Sequence, residues 1–104
     1  MKGSEPVTYE VVKNHGLHDY ALSNIAVDYA GASVTLHLKQ PDGTPCCLVF
    51  QDFISLRITH QEPWGCGIYI NASELTPLGD TVKVSIQLNS GDEIELVSKR
   101  TLHL

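Results

Sequence analysis

The stretch Ser33-Val34-Thr35-Leu36-His37-Leu38-Lys39-Gln40-Pro41-Asp42-Gly43-Thr44-Pro45-Cys46-Cys47-Leu48-Val49-Phe50 decides the fold class. Val34, Leu36 and Leu38 alternate with Thr35 and His37, the period of a half-buried strand. Pro41-Asp42-Gly43 suits a three-residue hairpin loop with Gly43 in the left-handed conformation. That loop sets Leu38 opposite Cys46, Leu36 opposite Leu48 and Val34 opposite Phe50, so one face of the pair is wholly apolar. A slip of one residue would invert the second strand, so the agreement of faces tests the loop.

The same test extends to both sides. A two-residue Gly31-Ala32 turn would pair Tyr29 with Val34, Val27 with Leu36 and Ile25 with Leu38. Gly at the first loop position is what a type II′ turn requires. Near the C-terminus, an Asn89-Ser90-Gly91 loop pairs Ile86 with Ile94 and Val84 with Leu96, and sets Glu93 and Glu95 opposite Gln87 and Ser85 as solvated surface. A Ser90-Gly91 loop would set Leu88 against Glu93 and is rejected. The apolar phase breaks between Leu22 and Ile25, which predicts a bulge at Ser23-Asn24 or a strand starting after it.

These readings predict a meander over 20–29, 33–39 and 45–50, strands near 53–60 and 66–71, a hairpin 81–88/92–98, and an edge strand over 6–13. Only Ala72-Ser73-Glu74-Leu75 offers a helical turn, with Pro77 to stop it. The expected architecture is one all-β domain over residues 1–104. Its seven or eight short antiparallel strands form a sandwich or a partly closed barrel.

Composition narrows the function classes. The hydrophobic fraction of 42% and charged fraction of 18% are those of a globular chain. Net charge is −5, and Lys99-Arg100 is the only adjacent basic pair, so phosphate-neutralising contact with nucleic acid or anionic lipid is not expected. No apolar run approaches the roughly 18 residues of a membrane span, and Met1–Pro6 lacks the apolar stretch of a secretory signal. Cys46, Cys47 and Cys66 form no CxxC pair, and adjacent strand residues point to opposite faces. A reducing, cytoplasmic setting is expected. No phosphate-cradling loop or nucleophile elbow is present, so neither an enzyme nor a cofactor is expected.

Three clusters could carry function. His15, His18 and Asp19 combine imidazole with a carboxylate, a pairing suited to metal binding or general base work, although the spacing matches no closed metal motif. The simpler reading is a turn in which His18 or Asp19 bonds loop backbone. His60, Glu62 and Trp64 lie on a loop framed by Pro63, Gly65 and Gly67. The Trp is either a lid over the end of the core, the cheaper use of an indole, or a binding anchor. His37 and Cys47 should oppose each other on the outer face, which reads as a thiolate pair or, more simply, as a packing patch with Val49.

His18-Asp19-x-x-Leu22-x-x-Ile25-x-x-Asp28-Tyr29, followed by Val34-Thr35-Leu36-His37-Leu38, resembles the opening of small bacterial β domains, some grouped with immunity proteins of polymorphic toxin systems. The resemblance implies a small, acidic, cytoplasmic protein that masks a toxin rather than catalysing. The leading expectation is therefore a non-enzymatic protein-binding domain. The alternative is a small-ligand or metal-binding domain using His15, His18, Asp19, His60, Glu62 and Trp64. A hydrolytic enzyme ranks third, and an edge strand left open, such as 6–13, makes a homodimer by sheet extension a further expectation.

Overall fold

The computed structural model describes residues 5, 6 and 9–99. Among these residues are eight strands: β1 (Glu5–Pro6), β2 (Ala21–Asp28), β3 (Ser33–Lys39), β4 (Pro45–Gln51), β5 (Phe53–Ile58), β6 (Ile70–Leu78), β7 (Thr81–Leu88) and β8 (Glu93–Lys99). They form two four-stranded sheets, ordered β1-β4-β3-β2 and β5-β8-β7-β6. Every pairing is antiparallel except that of the two-residue β1 with β4. The sheets face each other as a sandwich and do not close into a barrel.

The core follows from the period-two patterns. Val34, Leu36, Leu38, Cys46, Leu48 and Phe50 of the first sheet meet Ile70, Val84, Ile86, Leu88, Ile94 and Leu96 of the second. Each fully buried aliphatic or aromatic side chain of this kind contributes roughly 1.5–3 kcal/mol. A 3₁₀ segment, Tyr9–His15, broken at Lys13 and Asn14, adds Val12 and, just beyond it, Leu17. Ser73 of β6 fastens this segment. Its buried hydroxyl donates to Val12 O at 2.7 Å and accepts the Leu17 N–H at 3.1 Å.

Two hairpins have the expected register. Val34↔Phe50, Leu36↔Leu48 and Leu38↔Cys46 pair across β3–β4, and Val84↔Leu96 and Ile86↔Ile94 across β7–β8. Both use the same loop. Gln40 N–H bonds Thr44 O and Gly43 N–H returns to Gln40 O, while Leu88, Asp92 and Gly91 repeat the pattern. Gly43 and Gly91 stand at φ +90 and +91. The bulge at Ser23 is also present, between the pairs Leu22↔Leu38 and Asn24↔His37.

Four expectations require correction. The β2–β3 connection has four residues, 29–32, so Val27 pairs Val34 and Ile25 pairs Leu36. The Asp28 carboxylate accepts the Gly31 N–H, and Ala32, not Gly31, takes the left-handed conformation. A slip of two residues keeps every side chain on its face, so alternation alone could not detect it. Residues 72–75 form no helical turn. They lie inside β6, where pairing with β7 and the anchoring of Ser73 override local helix propensity. The strand expected near 66–71 begins only at Ile70. The edge strand expected over 6–13 is limited to Glu5–Pro6, and Tyr9–His15 is the 3₁₀ segment, because Val12 is drawn into the core; residues 7 and 8 lie outside the described residues.

Backbone hydrogen bonds close one corner of the sandwich, where Leu22 N–H donates to Ile68 O and Ile70 N–H to Tyr20 O. Beyond it β2 runs on as an edge strand of the first sheet. The Phe53 N–H bonds Ala32 O where β5 begins, so β5 starts beside the β2–β3 loop.

Candidate functional site

The connection from β5 to β6, residues 59–69, is held down along its length by the β7–β8 turn. Asp92 begins the fastening. Only 2% exposed, its carboxylate accepts the Gln61 N–H (2.7 Å) and Thr59 hydroxyl (2.9 Å) on Oδ1, and the Glu62 N–H and Ser90 hydroxyl (both 2.9 Å) on Oδ2. Burial alone would raise this carboxyl. The bonds from Gln61, Ser90, Thr59 and Glu62 outweigh it and hold Asp92 down to about 2.

The middle of the loop is fixed by backbone contact. Trp64 N–H donates to Ser90 O at 3.0 Å, and Glu62, at φ +51, starts a tight turn closed by Gly65 N–H to Glu62 O. A Cβ on Gly91 would stand 2.7 Å from Pro63 Cγ and 3.0 Å from Trp64 Cδ2, so Pro63 and one face of the indole lie directly on the turn. A Cβ on Gly67 would run into the Asn89 carboxamide. At the far end, Asn89 N–H bonds Tyr69 O at 2.8 Å.

The result is a fixed loop with an apolar crest. Trp64 is 67% exposed, and Ile68 and Tyr69 are about half exposed. Trp64 therefore covers a backbone turn and not the end of the core, so the lid reading does not describe it. Two grooves flank the crest. One of about 260 Å³ includes Ser23, Ile25, His60, Glu62, Ile68 and Asp92 in its lining. The other, about 370 Å³, includes Asp19, Lys39, Pro41 and Tyr69.

The candidate residues fall into two groups. His60, Glu62 and Trp64 share the loop, with Cys66 Sγ 3.7 Å from Glu62 Oε1. His15 and His18 lie beyond it, on the segment fastened to β6. His15 Nδ1 accepts the Ser73 N–H, its Nε2 stands 3.4 Å from Glu74, and His18 lies 3.4 Å from Asp19. Asp19 reaches the second groove only. Among the described residues, no three His, Cys, Asp or Glu side chains group to hold a metal ion. No family model, curated protein or solved structure matches the chain.

His37 and Cys47 are directly opposed, as expected, and half-buried on the outer face of their sheet. Sequence reasoning missed Asp92 and Ser73. Asp92 left one local signal, a Ser two residues before it across the loop glycine, a spacing at which the two side chains can bond each other. Chemically, the arrangement presents a rigid aromatic surface with grooves on either side.

Proposed function

We propose that this chain is a non-enzymatic protein-binding β domain of bacterial, cytoplasmic type, immunity-like in acting by covering a partner, with the crest Trp64-Ile68-Tyr69 as its contact surface. One observation carries the reading: Trp64 is two-thirds exposed yet fastened from beneath by Ser90, Gly91 and the Asp92 hydrogen bonds. An indole held in place without burial loses little freedom on binding, which is the property of an interface anchor. The absence of recognisable catalytic motifs in the sequence and the acidic balance support the same reading.

The test is reconstitution. Proteins that co-purify stoichiometrically with the chain from its native source are purified separately and titrated against the wild type and Trp64→Ala. The reading expects Trp64→Ala to weaken a reconstituted complex by roughly thirtyfold, about 2 kcal/mol, with an unchanged Tm. A complex indifferent to Trp64→Ala, or a variant that loses its fold, would contradict it.

A small-ligand reading keeps one observation in its favour. The larger groove sets Asp19 and Lys39 around the Tyr69 ring, opposite charges beside an aromatic surface, which suits a small zwitterion. A rise in Tm on adding such a ligand, abolished by Tyr69→Ala, would favour it.

A further inference from the structure

Sheet edges are sticky unless blunted, and among the described residues three of the four edges are blunted. β1 pairs over two residues and ends on Pro6. β5 carries an irregularity at Ile54 and a charge at Arg57. β6 has an irregularity at Asn71, a carboxylate at Glu74 and a proline at Pro77. β2 differs. Beyond its bulge, Asn24-Ile25-Ala26-Val27-Asp28 has no proline, no irregularity and one charge, at its end.

The direction of its free backbone groups follows from the ladder. Leu22, opposite Leu38, turns its N–H away from β3 to Ile68 O. Hydrogen-bonded and non-hydrogen-bonded pairs alternate along an antiparallel ladder. Leu36 and Val34 are therefore of the same class as Leu38, and their partners Ile25 and Val27 turn N–H and C=O outward. The side chains of Ile25 and Val27 face the interior side of the sheet, yet Val27 is 49% exposed while its partner Val34 is fully buried. Tyr29, next in line, is 86% exposed.

We propose that β2 pairs antiparallel with β2 of a second copy of this chain about a twofold axis at Ala26, making one continuous eight-stranded sheet. This register uses all four outward groups: Ile25 exchanges two hydrogen bonds with Val27 of the second copy, and Val27 two with its Ile25. Centring on Ile25 would require the bulged Ser23 as a partner. Centring on Val27 would require Tyr29, whose carbonyl already accepts the Ala32 N–H. The chosen register also avoids like charges, since each Asp28 meets a neutral Asn24 carboxamide, a hydrogen-bond donor, and not another carboxylate. It sets Tyr29 of each copy opposite Ser23 of the other, over the groove beside Ile25, His60 and Ile68. One copy thus supplies both the exposed ring and the hollow that receives it, as a self-complementary twofold interface requires. Of the crest, only Ile68 borders this pairing, and Trp64 takes no part in it.

Sedimentation of the intact chain, with Val27→Lys, Trp64→Ala, and Ala26→Cys in a Cys66→Ser background, tests the proposal. Val27 is half exposed, so lysine there leaves the monomer folded while setting a charge against the Ile25 of the second copy. The wild type and Trp64→Ala should sediment near twice 11.4 kDa, Val27→Lys as a monomer with unchanged circular dichroism. Ala26 lies on the axis at a non-hydrogen-bonded position, so Ala26→Cys should form an intermolecular disulfide on mild oxidation that the background protein does not. A wild type that stays monomeric at its solubility limit, a dimer that survives Val27→Lys, or a failure of Ala26→Cys to cross-link would each overturn the proposal.

Discussion

Asp92 reaches back thirty residues to accept the backbone N–H of Glu62 on its Oδ2 at 2.9 Å, while its Oδ1 takes the N–H of Gln61 at 2.7 Å. Two successive amides of one loop are thus bound by the two oxygens of one carboxylate. Hydroxyls can rotate to suit a changed partner, but these backbone donors cannot. An Asp92→Asn substitution must therefore turn its NH₂ toward one of the two amides in either orientation. The expected outcome is a lower Tm and easier acrylamide quenching of Trp64, the chain's sole tryptophan. Equal quenching in the two proteins would contradict the bond assignment.

Acid should release the same loop. Asp92 is held at about 2 in the folded chain against 3.8 ordinarily, so the folded state binds this proton less readily than the unfolded state. Its stabilisation is complete above about 4 and is lost as pH falls from about 4 toward about 2. Asp42, lowered by the Thr44 N–H and hydroxyl, acts in the same direction at the β3–β4 loop. Urea melts across this window should show stability falling with pH, and the fall should be shallower in Asp92→Asn.

Gly43 and Gly91 occupy equivalent loop positions at nearly equal φ, yet their surroundings differ. Nothing lies within 4 Å of a Cβ on Gly43, whereas one on Gly91 meets Pro63 and Trp64. Gly43→Ala should cost only the left-handed strain of a non-glycine residue, roughly 1–2 kcal/mol. Gly91→Ala should cost at least about 1 kcal/mol more, as the Pro63-Trp64 contact is forced open. Chemical denaturation of the pair measures the difference directly, and equal losses would mean that the indole does not rest on the turn.

The hydroxyl of Ser98 is fully buried and has no hydrogen-bond partner among the described residues. Removing a buried, unmatched polar atom relieves its desolvation, so Ser98→Ala should be neutral or raise stability by about 1 kcal/mol. A marked drop in Tm would reveal a bond that this account lacks.

Much of the fold was legible because alternating apolar residues test their own turns. Gly43 and Gly91 each allow one loop length that sets Leu36 on Leu48 and Ile86 on Ile94. The Gly31 turn escaped the test, since a four-residue loop capped by Asp28 preserves the same faces as a two-residue one. Ala72–Leu75 misled for a different reason. Their helix propensity is local, whereas the β7 edge and the Val12 carbonyl that engages Ser73 are brought up by the rest of the chain. The loop carrying His60, Glu62 and Trp64 could be named from its glycines and proline. Its rigidity could not, because Asp92 is one carboxylate among twelve acidic residues until the fold brings Gln61 and Glu62 to it.

A fixed loop displays Trp64 without burying it. Time-resolved fluorescence anisotropy of the intact chain at neutral pH reads this most directly, because a side chain moving independently depolarises on the sub-nanosecond timescale. Wild-type decay should be dominated by tumbling of the whole molecule, with a fast component appearing only in Asp92→Asn or in acid. A dominant sub-nanosecond decay in the wild type would contradict it.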